Sequence, residues 1–305
     1  METSLREFCL KERVPALWNA SLSDYTSFHI GGAADAFLLP ETEAAFVKLL
    51  AFLNASGRAF RVIGNGTNLL FSDRGVRGVI VSTRHMRGVT VRGRCARASA
   101  GLPLNVLCRA LAEASLGGME CLYGIPGTVG GALVMNAGAY GAAISDTLSY
   151  VSLYDREERA VISLPKKELS FSYRKSLLQR ERRYTVLSAE FSLESKNSEA
   201  IRGEMKRVLS RRMETQPTTL PSAGSAFLRP ERGYAAEWIE QAGLLGARVG
   251  GAAVSVKHAG FIVNLGGATA ENVRTLMAQI QNEVERRFGV LLVPEIEYID
   301  EEITV

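Results

Sequence analysis

The amino-acid sequence predicts an α+β protein, not a single doubly wound sheet, on three observations. Strand-like runs at 60–63, 78–82 and 95–100 precede a helical stretch at 103–116, while 148–155, 159–163 and 184–193 follow as strands, so β–α–β traffic is interrupted. A chain of 305 residues is long for one core and comfortable for two or three domains. The polar segment Glu194-Ser195-Lys196-Asn197-Ser198 reads as a linker, with a helix at 199–212 opening a further domain. The expected division is a first domain over 1–195, in lobes of about 20–82 and 83–195, and a smaller α+β domain over 196–305.

Composition narrows the class. Hydrophobic residues make up 47% and charged residues 22%, the profile of a soluble globular chain, and a net charge of +4 creates no global field for nucleic acid. Arginines between Arg84 and Arg97 and in the run ending at Arg183 read as solvated faces or nucleotide-phosphate contacts. No aromatic residues are interleaved with them to make a stacking platform. Cys9, Cys95, Cys108 and Cys121 form no CxxC pair, so neither structural zinc nor a redox dithiol is expected; free, mostly buried thiols are. No signal-peptide core and no run of about eighteen apolar residues occurs, so a cytoplasmic protein without membrane insertion is expected.

In chain order, residues 1–20 suggest a short helix anchored by Phe8 and Trp18. His29 lies in a turn leading to a strand at 35–39 and reads as a structural residue before a ligand. From Thr42, a capping residue, Phe46, Leu49, Leu50 and Leu53 recur at helical spacing until Gly57. The strand at 60–63 runs into Gly64-Asn65-Gly66-Thr67-Asn68, which is neither a Walker A loop nor a GxGxxG fingerprint. Six of the nineteen residues from Tyr123 to Gly141 are glycine, and none is charged. There Gly124, Pro126 and Gly127 make a turn, Thr128 caps a helix, and Gly130 and Gly131 lie on it at about 1 kcal/mol each relative to alanine. One glycine turn is explained equally well by packing. Two, at 64–68 and 124–131, fit a ligand with a diphosphate and a flat ring system, held by backbone N–H groups.

Further candidates stand alone. Arg174, beside Tyr173, is either a surface residue or a fork of donors for a carboxylate or phosphate. Ser225 sits in a small-residue loop without Asp or His at triad spacing, which disfavours a hydrolase nucleophile and leaves a proton-donating hydroxyl. The helix at 270–288, with Val273, Leu276, Met277, Ile280 and Val284 inward and Gly289 at its end, is core. After an apolar strand and Pro294, either Glu295 or Glu297 could be a half-buried acid; spacing does not choose.

Taken together, TSFHIGGAAD, IGNGTNLLFSD, GIPGTVGGALVMNAGAYG, FSYRKS, PSAGSAF, KHAGFIVN and PEIE resemble the UDP-N-acetylenolpyruvoylglucosamine reductases of bacterial cell-wall precursor synthesis. The match runs from about Tyr25 to Ile299, and the lack of a long insertion after FSYRKS resembles the shorter subtype. The resemblance implies a two-lobed FAD-binding domain of the vanillyl-alcohol-oxidase (PCMH) type, then a smaller α+β substrate domain. It implies non-covalent FAD held by Gly64, Asn65, Gly66, Thr67, Asn68, Gly124, Ile125, Pro126, Gly127, Thr128, Gly130, Gly131, Asn136 and Gly138. It further implies NADPH as co-substrate, a UDP-sugar substrate, a monomer, no metal, and Arg174, Ser225 (proton donor) and Glu295 as catalytic residues.

Three positions depart from the family pattern: Thr215 stands where a lysine is frequent, and Leu228-Arg229 where Lys-Asn is frequent. Arg229 and Lys257 are the expected replacements at the UDP diphosphate, with Tyr173 and Arg174 completing the substrate contacts. The alternatives are an FAD-dependent sugar or alcohol oxidase of the same fold, and a non-catalytic nucleotide- or RNA-binding module. Ser225, Lys257-His258 and Glu295 speak against the oxidase.

Overall fold

The computed structural model describes residues 2–303. The helix expected over 1–20 ends early: it spans Glu2–Glu12, and Ala16–Ser21 is a strand. Pro15 explains the break, since the residue before a proline is driven out of the helical region, and Arg13 already turns the chain at φ +54°. Phe8 does anchor the helix, its ring 4.2 Å from that of Phe52, but Trp18 lies on the strand beneath the Arg6 guanidinium.

The first lobe is a four-stranded sheet in the order Ala16–Ser21, Ala33–Leu38, Val76–Ser82, Phe60–Ile63. Its last two junctions are parallel, which places the end of Phe60–Ile63, and thus the 64–68 turn, at one edge. The helix Glu43–Ala55, capped by the Thr42 hydroxyl, covers this sheet with Phe46, Leu49, Leu50 and Leu53 fully buried.

A five-stranded antiparallel sheet forms the second lobe, in the order Ala160–Pro165, Leu148–Asp155, Tyr184–Ser192, Cys95–Ser99, Val89–Arg92. The last strand is additional to those read from the sequence; a two-residue turn with Gly93 at φ +57° joins it to its neighbour. The segment taken for a linker pairs instead: Glu194–Ser195 lies against Leu116–Gly117. The helix after it, Ser198–Thr215, buries Ile201 and Met205 in the second lobe's core, so it packs with that lobe and not with the C-terminal sheet.

The C-terminal part is an antiparallel sheet in the order Ser222–Ser225, Phe261–Asn264, Ala252–Val254, Arg248–Val249, packed on Ala270–Phe288. That helix begins at the Thr269 cap and ends at Gly289, φ +64°. Residues 291–293 do not form the expected strand; Leu291 and Val293 are exposed. The strand comes later, at Glu297–Ile299, and pairs in parallel with Leu69–Phe71 of the first lobe. Asp73 of that lobe accepts from the N–H groups of Ala270 and Glu271, capping the C-terminal helix from outside. The thiols are free; Cys9 and Cys108 are buried, with pKa values pushed by burial to about 11 and about 12, whereas Cys95 is exposed. His29, at φ +54°, is also exposed, and its role is carried by a carbonyl that accepts from Asn264.

Candidate active site

The two glycine turns meet. A Cβ on Gly64 would stand 2.4 Å from the Thr128 hydroxyl oxygen, so only glycine admits the helix cap there. In return the Thr67 hydroxyl donates to the Pro126 carbonyl at 3.4 Å. Thr128 caps the six-residue helix Val129–Val134 by accepting from Gly131 N–H.

The neighbouring glycines of this helix differ in purpose. A Cβ on Gly130 would lie 3.0 Å from Ala100 Cβ, and its N–H donates to the Ala100 carbonyl, so Gly130 packs closely on Ala100 while also lining a neighbouring cavity of about 370 Å³. On Gly131 a Cβ would meet nothing nearer than Thr128 Oγ1 at 3.6 Å, and this residue faces a cavity of about 300 Å³. Asn65, Gly66, Thr67, Asn68, Ile125, Pro126, Gly127, Thr128 and Gly138 line the same cavity. Gly124 does not; it makes room for the stem of Arg212, whose Cδ would be 3.1 Å from a Cβ there.

Arg174 reaches the cavity from a tight turn. Ser172 and Lys175 exchange backbone hydrogen bonds of 3.0 and 3.2 Å, leaving Tyr173 and Arg174 at the corner. Asn136 supports that turn, its amide donating to the Ser172 carbonyl at 2.9 Å; it does not line the cavity. Arg174 Nε donates to Glu295 Oε1 at 2.6 Å, and both terminal nitrogens donate to the Gly138 carbonyl. The Glu295 side chain is 12% exposed, and burial raises its pKa against the opposing pull of Arg174. Its backbone is fixed as well, with Glu295 N–H on the Ala226 carbonyl and the Asn68 amide on the Glu295 carbonyl. Glu297, the other candidate, is taken by Arg61 and Arg182. Ser225, at the end of its strand, lines the same cavity, one residue before the Ala226 carbonyl that holds Glu295 N–H.

Of the residues read as substrate contacts, only Arg174 lines the cavity. The Tyr173 hydroxyl accepts from Arg229 N–H, the Arg229 guanidinium lies over the Tyr234 ring, and the Lys257 ammonium donates to the Met213 carbonyl. Arg212 and Gln216 stand in the wall instead. No carboxylate pairs with Arg212 among the described residues, and burial lowers its pKa. In the sequence Arg212 belongs to a run of charges on a helix and gives no signal of its own. Among the described residues no cluster of His, Cys, Asp or Glu is placed to hold a metal, and no helix is long and apolar enough to cross a membrane.

The cradle fits FAD: glycine walls open to the cavity, backbone turns that admit a diphosphate, and the cations Arg174 and Arg212 among its lining. Two family profiles match the chain, an FAD binding domain over residues 34–162 and the C-terminal domain of UDP-N-acetylenolpyruvoylglucosamine reductase over 216–299. A reductase of that name from Caldanaerobacter subterraneus subsp. tengcongensis is 44% identical over 283 residues, 93% of either chain. The one from Clostridium novyi is 38% identical over 284 residues, 93% of this chain and 92% of that one. The crystal structure of the reductase from Thermus caldophilus superposes with a TM-score of 0.79 at 34% identity, covering 94% of this chain and 98% of the other.

Proposed function

This chain belongs to the UDP-N-acetylenolpyruvoylglucosamine reductase family, an FAD-dependent oxidoreductase family, and on that premise we propose the reaction and the residues that carry it. Its N-terminal region is a two-lobed FAD-binding domain of the vanillyl-alcohol-oxidase type. The proposed reaction reduces the enolpyruvyl ether of UDP-N-acetylglucosamine-enolpyruvate to UDP-N-acetylmuramate, in peptidoglycan precursor synthesis. FAD, when bound, supplies the hydride, having received it from NADPH.

An enol ether accepts hydride only if the charge left on the carbon beside its carboxylate is stabilised. Arg174, which keeps N–H groups beyond those given to Glu295 and Gly138, is assigned to that carboxylate. Glu295, with its raised pKa, is assigned to stand protonated beside it, where an ionised carboxylate would repel the substrate. Ser225 is assigned as proton donor to the carbon. In place of Arg229 and Lys257, Arg212 is the proposed cation for the UDP-sugar's anionic groups, with Gln216 beside it. A cytoplasmic monomer remains the expected state.

The observation that carries this reading is the convergence of Ser225 and the Arg174–Glu295 pair on the cavity walled by both glycine turns. Anaerobic stopped-flow mixing tests it. NADPH should bleach the flavin band and the enolpyruvyl sugar should restore it. Bleaching by an alcohol, with NADPH inert, would identify an oxidase instead.

A further inference from the structure

The Lys257-His258 stretch stands outside the cavity wall, yet it backs the strand that supplies part of that wall. Ser225 owes its place to its backbone. It pairs with Phe261 across the C-terminal sheet, and both residues line the cavity. The next residue, Ala226, is held from two sides. Its carbonyl accepts from Glu295 N–H at 2.9 Å, and its N–H donates to the Gly260 carbonyl at 2.8 Å. The first contact ties the assigned proton donor to the acid, and the second ties it to the turn over 255–260.

His258 shapes that turn. Its Nδ1 accepts from Gly260 N–H at 3.1 Å, and its ring meets the Phe261 ring edge to face with 5.0 Å between centroids. A Cβ on Gly260 would stand 3.0 Å from His258 Cε1, which leaves no room for a larger residue unless the ring moves. The Ser255 hydroxyl closes the other side by accepting from the N–H groups of Lys257 and His258. A ring nitrogen that accepts must be unprotonated, whereas an imidazolium carries a proton on both nitrogens. Burial lowers the His258 pKa below its ordinary 6.5, against weaker upward pulls from its own backbone and from Glu240 on the helix Ala235–Gln241. The other charge on that helix, Glu237, accepts from Tyr234 N–H, and the strand Phe261–Asn264 carries no charged residue. Lys257, beside His258 in sequence, gives its ammonium to the Met213 carbonyl. The ring is therefore neutral at about pH 7 with Nδ1 able to accept, and acid removes that acceptor.

We propose that His258 is a positioning residue for the proton-transfer step: its neutral ring, accepting from Gly260 and packed on Phe261, holds Ser225 in place, and protonation of the ring releases it. The inference rests on Ser225 being the proton donor and goes beyond that assignment, since it names the group that makes the donor's placement depend on pH. Flavin reduction by NADPH needs no proton donor, so comparing the two half-reactions isolates this effect from a general loss of structure.

The test is single-turnover absorbance of the holoenzyme from about pH 5 to about pH 8, reading flavin reduction by NADPH and reoxidation by the enolpyruvyl sugar separately. Wild-type reoxidation should fall on the acid side, below about pH 6.5, while reduction shows no such limb. His258→Asn keeps an acceptor for Gly260 N–H and cannot titrate. It should hold the rate at about pH 8 within about threefold and lose the acid limb. His258→Phe keeps a ring against Phe261 but no acceptor. Its reoxidation should slow about 10- to 100-fold at every pH, the cost of displacing a reacting group by about 1 Å, with reduction unchanged. A wild type without an acid limb, a limb that survives His258→Asn, or equal slowing of both half-reactions in His258→Phe overturns the proposal. If His258→Phe fails to fold, the wild-type and His258→Asn profiles decide. Reoxidation of Ser225→Ala at the wild-type rate overturns the proton-donor assignment and this inference together.

Discussion

Arg174 holds a left-handed backbone conformation at φ +53°, which costs a residue with a Cβ about 1–3 kcal/mol and persists only because its surroundings impose it. The surroundings here are the Asn136 amide under the turn and the Glu295 carboxyl beyond it. The strain aims a guanidinium at one wall of the cavity, and Glu295 answers with a pKa raised by burial. The sign of the resulting pH dependence follows. The folded pKa lies above the unfolded value near 4.5, so the native state holds this proton more tightly. Stability from this group is complete below about pH 4.5 and is lost as pH rises through the folded pKa. Glu295→Gln should flatten that part of the profile, as melting temperatures across pH will show. Substrate reduction should decline over the same window if the protonated acid is required. Ser225→Ala should leave flavin reduction by NADPH intact and slow reoxidation by the enolpyruvyl sugar about a hundred- to ten-thousand-fold, measured by single-turnover absorbance. An unchanged rate would remove Ser225 as the acid.

At the scale of elements, the short helix Val129–Val134 gives adjacent residues different neighbours. Gly130 is tight against Ala100, whereas Gly131 has room for a Cβ and opens on the cavity that Ser225 and Arg174 line. A leucine at Gly131 should abolish the flavin absorbance of the purified protein while the melting temperature of the flavin-free form stays in place. A valine at Gly130 should instead lower stability by about 1–3 kcal/mol through overpacking against the sheet, read from denaturant unfolding. The sequence marked both glycines equally. It also marked the helix Ala270–Phe288, because Gly289 ends it by acting on its own neighbours. It failed on 291–293, whose apolar residues look like a strand but meet the neighbouring chain only at single hydrogen bonds, such as Leu228 N–H to the Val293 carbonyl, and on Glu194–Ser195, whose polar residues pair with Leu116–Gly117. Pairing between distant segments leaves little trace in either.

For the whole molecule, several contacts fasten the C-terminal part to the first lobe. Glu297–Ile299 pairs with Leu69–Phe71, Asp73 caps the helix Ala270–Phe288, and the Asn264 amide donates to the Phe28 carbonyl. The first of these follows directly from Glu295, so the same segment that supplies the acid also ties the parts together. Asp73→Ala should cost about 1 kcal/mol, the usual worth of a helix cap, and should loosen the closure. Hydrogen exchange should then rise at the start of the C-terminal helix and at 297–299 together; a rise at the helix alone would show the two ties to be independent.

The sequence by itself determined the α+β class, the two glycine turns, the capped helices and the set of candidate side chains. Each of these is written in residues that act on neighbours a few positions away. The tertiary structure paired Glu295 with Arg174 and Glu297 with Arg61 and Arg182, gave Gly130 and Gly131 different neighbours, left Arg229 and Lys257 off the cavity wall and put Arg212 there. Those choices depend on contacts such as the one joining Arg174 to Glu295 across 121 residues. Burial and pairing over such distances are properties of the packed chain, and no local pattern encodes them.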